Sequence, residues 1–436
     1  MTDSTRAFTS TGTVHAEGLS APAAATFDSP ADSGAWGAAP SARYESLAQA
    51  WRPLFARIRA SAVERDVHHR LPHEEIAWLR EAGFARVRLP REFGGAGATL
   101  PELFALLVEL GAADTNVVNA LRAHLGFVED VLNSREAPWR ARWLDRLATG
   151  TLIGAGLSEA GSAKVGTFST HLTRTADGAR LNGQKFYTTG SLFADWIGVA
   201  AQEGDATVYL QVPRTAPGVE VLDDWDGFGQ ALTASGTARF TDVAIQPDWL
   251  RPSAERFPYA VPFYQLVHLA SIAGIGRALA DDVAQRVRQR DRVYSHGNAA
   301  RVSEDPQILQ VVGRARSAAY AARAIALQAA RAIQGSHDAH EDPAAGEVQR
   351  RRADTLAHVE VDQSVSVITR LVLDASTDLF DALGASATLR TEGLDRYWRN
   401  ARTISSHNPR IYRERQVGAY AVNGTAPPTS YRVGKG

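Results

Sequence analysis

The way residue patterns change along the chain constrains its fold more than any other feature of the sequence. Apolar residues recur at helical spacing over residues 41–150, whereas residues 151–255 break into short alternating runs separated by turn residues. Helical spacing returns over residues 256–436. We therefore predict an α+β fold with an N-terminal helical domain, a middle β-sandwich or barrel domain and a C-terminal helical bundle.

Turn and capping residues suggest the bounds of individual elements. We expect Pro101 to start an apolar helix that is buried on all sides, and Asn182-Gly183 to mark a hairpin or a bulge. Residues 1–40 are rich in Ala, Ser, Thr, Gly and Pro, which indicates a disordered tail. In the C-terminal region we expect helices at 268–292, 307–333 and 351–383, with a charged linker at 334–347.

Composition excludes several classes of site and partner. The chain has 436 residues and no cysteine, which rules out disulfides, thiolate catalysis, iron–sulfur clusters and cysteine-based zinc sites. Its 47 basic and 48 acidic residues give no indication of nucleic acid or a membrane as partner. No apolar stretch approaches the roughly 20 residues of a membrane helix. Because signal-peptide and metal-ligand patterns are also missing, we expect a cytoplasmic protein without a metal.

Three segments of the middle region carry the most specific motifs. They read G-A-G-L-S-E-A-G-S at 154–162, L-N-G-Q-K-F-Y-T-T-G-S-L-F-A-D-W at 181–196, and D-D-W-D-G-F-G-Q-A-L-T-A-S-G-T-A-R-F-T-D-V at 223–243. In this order they resemble the middle-domain segments of the acyl-CoA dehydrogenase superfamily, in its flavin-dependent monooxygenase branch of the dibenzothiophene monooxygenase type. The L-P-R-E-F-G-G loop and the helix–β–helix order agree with this resemblance.

The resemblance implies a flavin site in the middle domain. A flavin ring needs an apolar surface to stack on and hydrogen bonds at its polar edge. Ser158 and Thr189 would lie near the edge of the ring, while Trp225 and Ser235 would contact the ring and the ribityl–phosphate arm. Each of these residues, taken singly, is also typical of an ordinary strand or core. The full set of expected contacts in this domain is Ser158, Tyr187, Thr188, Thr189, Trp225 and Ser235.

The flavin phosphate needs positive charge. Arginines alternate near the end of the helix expected at 268–292, and in the superfamily an arginine there reaches the flavin of a neighbouring subunit. We therefore expect Arg290 and Arg292 to bind the phosphate, although a solvated basic helix end explains them equally well. Asn400, in the motif R-N-A-R-T, is also expected to contact the flavin.

The C-terminal segment distinguishes between two chemistries. Acyl-CoA dehydrogenases commonly carry a glutamate here that abstracts the substrate proton, but residues 395–409 read D-R-Y-W-R-N-A-R-T-I-S-S-H-N-P. The monooxygenase branch resembles this sequence and places its histidine near the reactive flavin atoms. We therefore assign proton transfer to His407 in a C-terminal active-site loop, with His124 and Thr189 as further catalytic candidates. His124 is equally consistent with a packed or capping role.

Together these observations predict a two-component monooxygenase. Since no G-x-G-x-x-G motif follows a predicted strand, reduced FMN would come from a separate flavin reductase. FAD remains an alternative cofactor. The resemblance implies a homotetramer that uses O2 to form a hydroperoxyflavin, which transfers one oxygen atom to a small hydrophobic substrate containing sulfur or nitrogen. An FAD-dependent acyl-CoA dehydrogenase and a non-catalytic binding protein are the competing interpretations.

Overall fold

The protein is described here from a computed structural model, which describes residues 36–161 and 167–430. Most of the expected disordered tail, residues 1–35, lies outside the described part. Trp36 falls within the predicted tail of residues 1–40, but its side chain is buried. The Arg316 guanidinium lies 3.4 Å from the centre of the Trp36 ring. The ordered chain therefore begins before residue 41, because this cation–π contact fixes the ring against the helices beneath it.

Helices build the N-terminal domain, as predicted. Thr99 caps the apolar helix α5 through a capping box with Glu102, and nearly every residue of α5 is buried. Pro101 occupies its first turn, as expected. The seven helices are α1 (Tyr44–Gln49), α2 (Arg52–Ala60), α3 (Ala62–His68), α4 (His73–Glu81), α5 (Leu100–Ala113), α6 (Thr115–Leu132) and α7 (Ala137–Ala148).

The middle domain is a mixed sheet with its own core. Its strands are β1 (Ile153–Gly156), β2 (His171–Thr175), β3 (Gly178–Lys185), β4 (Trp196–Glu203), β5 (Ala206–Pro213), β6 (Val219–Val221) and β7 (Ala238–Ile245). The order is β1-β4-β2-β3-β7-β6, and β5 pairs with β4. Side chains from five strands meet in one apolar cluster, the packing expected of a small barrel-like domain. The register shifts between Leu181 and Gly183, which confirms the predicted bulge.

Long helices form the C-terminal bundle. They are α8 (Ala260–Gln289), α9 (Pro306–Glu341), α10 (Glu347–Leu383), α11 (Asp395–Ser406) and α12 (Ile411–Asn423). Helix α5 packs against α8, so the two helical regions share one hydrophobic core. Glycines permit this contact: a Cβ atom added to Gly274 would lie 2.5 Å from the carbonyl carbon of Gly111.

Two of the sequence-based boundaries in this region are wrong. The charged linker expected at 334–347 is mostly helical, since α9 continues to Glu341. Ser336 and His340 both bind Asp354 of α10, at 2.6 and 3.1 Å, so packing between the helices extends a segment whose composition suggests a loop. The expected C-terminal active-site loop is largely the helix α11, and His407 is its C-terminal cap. No helix in the described ranges is long and apolar enough to cross a membrane.

Candidate active site

Backbone hydrogen bonds bring the three middle-domain segments together. The carbonyl of Ser158 accepts from the N–H of Phe186 at 3.0 Å, and the carbonyl of Gly236 accepts from the N–H of Thr188 at 3.2 Å. The hydroxyl of Thr188 also donates to Gly236, so this buried threonine holds two segments together. Ser158 itself is exposed at the edge of the cluster. The structure thus places the segments side by side, as the flavin-site prediction requires.

Hydroxyl groups form a short chain within this cluster. The Oγ1 atom of Thr189 lies 2.7 Å from the Oγ atom of Ser235, which in turn lies 2.7 Å from the Oγ1 atom of Thr233. Thr233 donates onward to the carbonyl of Gln230 at 2.8 Å. This direction leaves Thr189, which is partly exposed, at the outer end of the chain. A ligand bound at this end would contact the hydroxyl group of Thr189, which Ser235 already orients.

An aromatic cluster lies beside the hydroxyls. The rings of Tyr187 and Trp225 are 5.9 Å apart, and the ring of Phe186 lies 4.8 Å from that of Tyr187. Tyr187 has a left-handed backbone with a φ of 60° and a side chain that is 49% exposed. Strand β3 ends at Lys185, so Phe186 and Tyr187 occupy a strained turn after the strand. The turn presents an accessible aromatic surface.

Asn400 holds the loop of residues 230–235 through a side-chain hydrogen bond. Its Oδ1 atom accepts from the backbone N–H of Gln230 at 2.6 Å. The Gln230 side chain bonds Asn119 and Thr115 of helix α6, at 3.1 and 2.9 Å. Gln230 and Ala234 both have positive φ angles, so the loop needs such external contacts to keep its shape. Asn400 is buried, and this contact makes it a support of the loop.

A second cluster of polar groups surrounds His407 at the end of α11. The rings of His407 and His268 meet edge to face, with centres 4.5 Å apart. The amide of the neighbouring Asn408 donates to Gln265 of α8 at 3.0 Å. Surrounding protein and the positive charge of Arg122 lower the pKa of His407, although its side chain remains accessible. A neutral imidazole at this position has one nitrogen that can donate a hydrogen bond and one that can accept.

The structure does not bring His124 into this cluster. Successive helical residues are rotated by about 100°, so Arg122 and His124 point to nearly opposite sides of α6. The Nε2 atom of His124 donates to the carbonyl of Ala85 at 2.8 Å, and burial lowers the pKa of His124 to about 4. It lines a small cavity with Ile76 and Phe193. A catalytic role for His124 therefore stays an untested prediction.

Arg290 and Arg292 lie just beyond the end of α8, far along this helix from His268. Arg290 follows the last residue of α8 and donates to the carbonyl of Ala382 at 3.0 Å. Arg290 comes 22 residues after His268 in the sequence. At a helical rise of 1.5 Å per residue, this separation corresponds to about 33 Å along the axis of α8. Within one subunit the arginines therefore cannot reach a flavin beside His268, and their phosphate contact stays a prediction for a neighbouring subunit.

The arrangement fits a bound flavin. The accessible ring of Tyr187 offers a stacking surface, and Thr189 and Ser235 offer hydrogen bonds to the polar edge of a flavin. The end of α11 carries serine, histidine and asparagine where a dehydrogenase needs a carboxylate. In the described ranges, no group of histidine and carboxylate side chains is arranged to hold a metal ion.

Sequence reasoning missed the residues that support these clusters. Asn119, Gln230 and Thr233 hold the hydroxyl chain, while Arg122 and His268 flank His407. The two histidines are 139 positions apart in the sequence, so their contact follows only from the packing of α11 against α8. Among these missed residues, only His268 carried a signal in the sequence, because it is a polar residue within an apolar helical segment.

Two models of one known protein family match the two helical regions of the chain. The model of the acyl-CoA dehydrogenase N-terminal domain matches residues 43–151, and the model of the C-terminal domain matches residues 266–409. Together the two matches span more than half of the chain. The matched ranges include most of α8 and His407, but not the β-domain.

Full-length relatives share the whole architecture. A dibenzothiophene monooxygenase of Mycolicibacterium goodii is 28% identical over 86% of this chain and 93% of its own length. A probable FMNH2-dependent monooxygenase, SfnC of Pseudomonas putida, is 26% identical over 87% of this chain and 95% of its own. The FMN-bound crystal structure of TdsC from Paenibacillus sp. A11-2 superposes with a TM-score of 0.80, at 27% identity, covering 88% of this chain and 99% of TdsC.

Proposed function

We infer that the chain, which belongs to the acyl-CoA dehydrogenase family, is a flavin-dependent monooxygenase that uses reduced FMN and O2 to oxygenate a small sulfur-containing substrate. The observation that carries this conclusion is the end of helix α11. It presents His407 and Asn408, without a carboxylate, in a chain that aligns along nearly its whole length with FMN-dependent monooxygenases.

Each cluster of residues would have a separate role in the reaction. Bound reduced FMN would supply the electrons that activate O2. Tyr187 and Trp225 would pack against its ring, and Thr189 with Ser235 would hydrogen-bond its polar edge. His407, at the end of α11, would accept and return a proton near the reacting atoms.

Cofactor supply and assembly form the finer part of the proposal. We propose that a separate reductase delivers reduced FMN by diffusion, because no dinucleotide-binding motif is found in the sequence. A homotetramer would allow Arg290 and Arg292 of one subunit to approach the phosphate in another. A reductase that draws on cellular NAD(P)H places the reaction in the cytoplasm.

A cofactor and substrate comparison tests the proposal. The purified protein should oxygenate dibenzothiophene or a smaller thioether when an added reductase supplies reduced FMN, and more slowly with reduced FAD. It should not transfer electrons from butyryl-CoA to an artificial acceptor. Acyl-CoA oxidation with bound FAD, in the absence of any oxygenation, would refute the monooxygenase assignment in favour of a dehydrogenase.

A further inference from the structure

A buried ion cluster lies at the start of helix α6. Arg65 of α3 is fully buried, and it donates to Glu75 at 2.7 Å and to Asp114 at 2.8 Å. Losing one partner of a buried ion pair is strongly destabilising, so the three side chains are fixed relative to one another. Asp114 also caps α6, because its Oδ1 atom accepts from the backbone N–H of Asn116 at 2.9 Å. The cluster therefore fixes the first turn of α6.

The side-chain amide of Asn116 has a single orientation within this frame. Its Nδ2 atom donates to Oδ1 of Asp114 at 2.8 Å, and its Oδ1 atom accepts from the backbone N–H of Leu232 at 3.2 Å. A carboxylate accepts hydrogen bonds but cannot donate them, so Asp114 can bind only the NH2 end of the amide. The carbonyl end must then face Leu232. Asn116 is 3% exposed, which shields both hydrogen bonds from solvent.

The loop that receives this hydrogen bond carries part of the hydroxyl chain. Leu232 lies in the middle of residues 230–235, and the hydroxyl of Ser235 lies 2.7 Å from that of Thr189. Ala234 has a φ of 48°, which a residue other than glycine adopts only when its surroundings impose it. The bond from the amide on α6 is one of the contacts that impose this shape on the loop.

The same turn of α6 supports the second segment of the hydroxyl chain. Gly190 directly follows Thr189 and has a φ of 79°. A Cβ atom added to Gly190 would lie 2.0 Å from the carbonyl oxygen of Ala120, so this backbone rests directly on that of α6. One turn of α6, residues 116–120, therefore underlies both segments that meet in the hydroxyl chain.

We propose that Asn116 is a positioning residue for the flavin. Oriented by Asp114, it fixes the loop of residues 230–235 so that Ser235 and Thr189 meet the polar edge of the flavin ring. It acts through the loop and not by contact with the cofactor. The buried ion cluster between α3, α4 and α6 thus sets the geometry of the cofactor site from outside it. This inference rests on the proposed function, since it names what holds the proposed FMN contacts in place.

Binding of oxidised FMN to full-length Asn116→Leu tests the proposal. Leucine has a similar shape to asparagine but cannot bond the backbone of Leu232. Because a hydrogen bond contributes modestly to binding, loosened hydroxyl contacts should raise the FMN dissociation constant about two- to tenfold. The midpoint potential of bound FMN should also shift, because hydrogen bonds to the ring tune its electronic properties. Fluorescence titration and dye-coupled reduction measure the two quantities.

The matched control is Asn133→Leu at the other end of the same helix. Asn133 is partly buried, and its amide donates to the carbonyl of Glu129 at 2.8 Å instead of to the loop. Each variant loses one amide from α6, so a purely structural effect would appear in both. The control should keep the FMN potential of the unmodified protein. Equal dissociation constants and potentials in the two variants would overturn the proposal.

A double-mutant cycle tests whether Asn116 acts through Ser235. Residues that act through one contact have effects that do not add in free energy. Combining Asn116→Leu with Ser235→Ala should therefore raise the FMN dissociation constant by clearly less than the product of the two single changes. Asn133→Leu combined with Ser235→Ala should show no such coupling. Independent effects of Asn116→Leu and Ser235→Ala would contradict the proposal.

Oxygen transfer with reduced FMN, measured on the same preparations, separates this claim from the function. If Asn116→Leu alone shifts the FMN potential but the unmodified protein oxygenates no substrate, the positioning role stands and the monooxygenase function fails. If the unmodified protein oxygenates a thioether but Asn116→Leu matches Asn133→Leu, the function stands and the positioning role fails.

A milder variant covers the case in which Asn116→Leu does not fold. Asn116→Ser keeps a hydroxyl that can bond Asp114, but its side chain is one bond too short to reach Leu232. It must weaken FMN binding in place of the leucine variant. An unchanged FMN dissociation constant in Asn116→Ser would overturn the positioning role.

Discussion

At the scale of single residues, the site depends on how a few polar side chains are held. Thr189 is oriented by Ser235, which is itself fixed by Thr233. Sequence motifs predicted the first two of these residues because both stand in recognisable segments. His268 and Arg122 were not predicted, since their contacts join segments that are distant in the sequence. Thr233 stands in the third motif and contacts its neighbours Ser235 and Gln230, but the motif alone did not single it out.

His407 is the residue whose loss should matter most for chemistry. Substituting His407→Asn removes the proton-transferring group but keeps a polar side chain of similar reach. Because general acid–base catalysis contributes about 10²- to 10⁴-fold, we expect kcat for oxygen transfer to fall by that factor, with FMN affinity unchanged. Steady-state oxygenation assays measure this. The control is His68→Asn, an exposed histidine at the end of α3, which should behave as the unmodified protein.

Glu102 should make stability depend on acid pH. Burial alone would raise the pKa of this carboxylate, but hydrogen bonds from Arg43, Ser41 and the Thr99 N–H outweigh burial and lower the pKa to about 2. A carboxyl whose pKa is lower in the folded state stabilises the fold above its ordinary value of 4.5. This contribution disappears as the pH falls from 4.5 toward 2.

The comparison of Glu102→Gln with the unmodified protein measures this effect. The variant should be less stable near neutral pH, and the difference in free energy of unfolding should shrink as the pH falls through that window. Denaturant titrations at several pH values provide the free energies. A difference that stays constant down to the lowest pH would show that the ionised carboxylate is not the stabilising form.

At the scale of secondary-structure elements, helical spacing predicted the long C-terminal helices, and short alternating runs predicted a middle domain built of strands. Strands β1 and β6 have only four and three residues, too few side chains to show alternation. The sequence pattern also placed a linker inside α9 and a loop at α11. In both places contacts between helices stabilise a conformation that the local sequence favours only weakly.

The crossing of α5 and α8 gives a prediction at this scale. A methyl group added at Gly274 would lie 2.5–2.7 Å from backbone atoms of α5, so the helices would have to separate. Since overpacking typically costs about 1–3 kcal/mol, Gly274→Ala should lower the free energy of unfolding by at least that amount. Gly313→Ala on α9 is the matched control.

A Cβ atom at Gly313 meets no atom within 4 Å, and the position is helical. Alanine there should raise the stability by about 0.5–1 kcal/mol, because it restricts the unfolded chain and favours the helix. Thermal denaturation of the two variants compares them directly. Equal melting temperatures would mean that α5 and α8 are not in the close contact described.

At the scale of the whole molecule, the two helical regions share one core while the sheet has its own. The order of helical and alternating segments was enough to predict this division. Assembly was predicted only from the family resemblance. Apolar side chains are exposed on the C-terminal helices of the single chain, among them Tyr320 on α9, Val367 on α10 and Ile411 on α12.

A tetramer has a measurable consequence. Light scattering coupled to size-exclusion chromatography should give four times the chain mass of 47.0 kDa. Dissociated subunits, obtained for example by introducing aspartate at Tyr320 and Val367, should bind FMN more weakly if arginines from a neighbour hold its phosphate. A monomer that binds FMN as tightly as the assembled protein would exclude that role for Arg290 and Arg292.

The central claim, that this chain transfers oxygen from O2 to a substrate, is tested most directly with isotopic oxygen. The protein is mixed anaerobically with chemically reduced FMN and dibenzothiophene, and ¹⁸O2 is then admitted for one turnover. Mass spectrometry should find one ¹⁸O atom in the product sulfoxide, and far less labelled product when His407→Asn replaces the unmodified protein. Oxidised FMN with hydrogen peroxide and unaltered substrate, across thioethers and sulfinates alike, would contradict the claim.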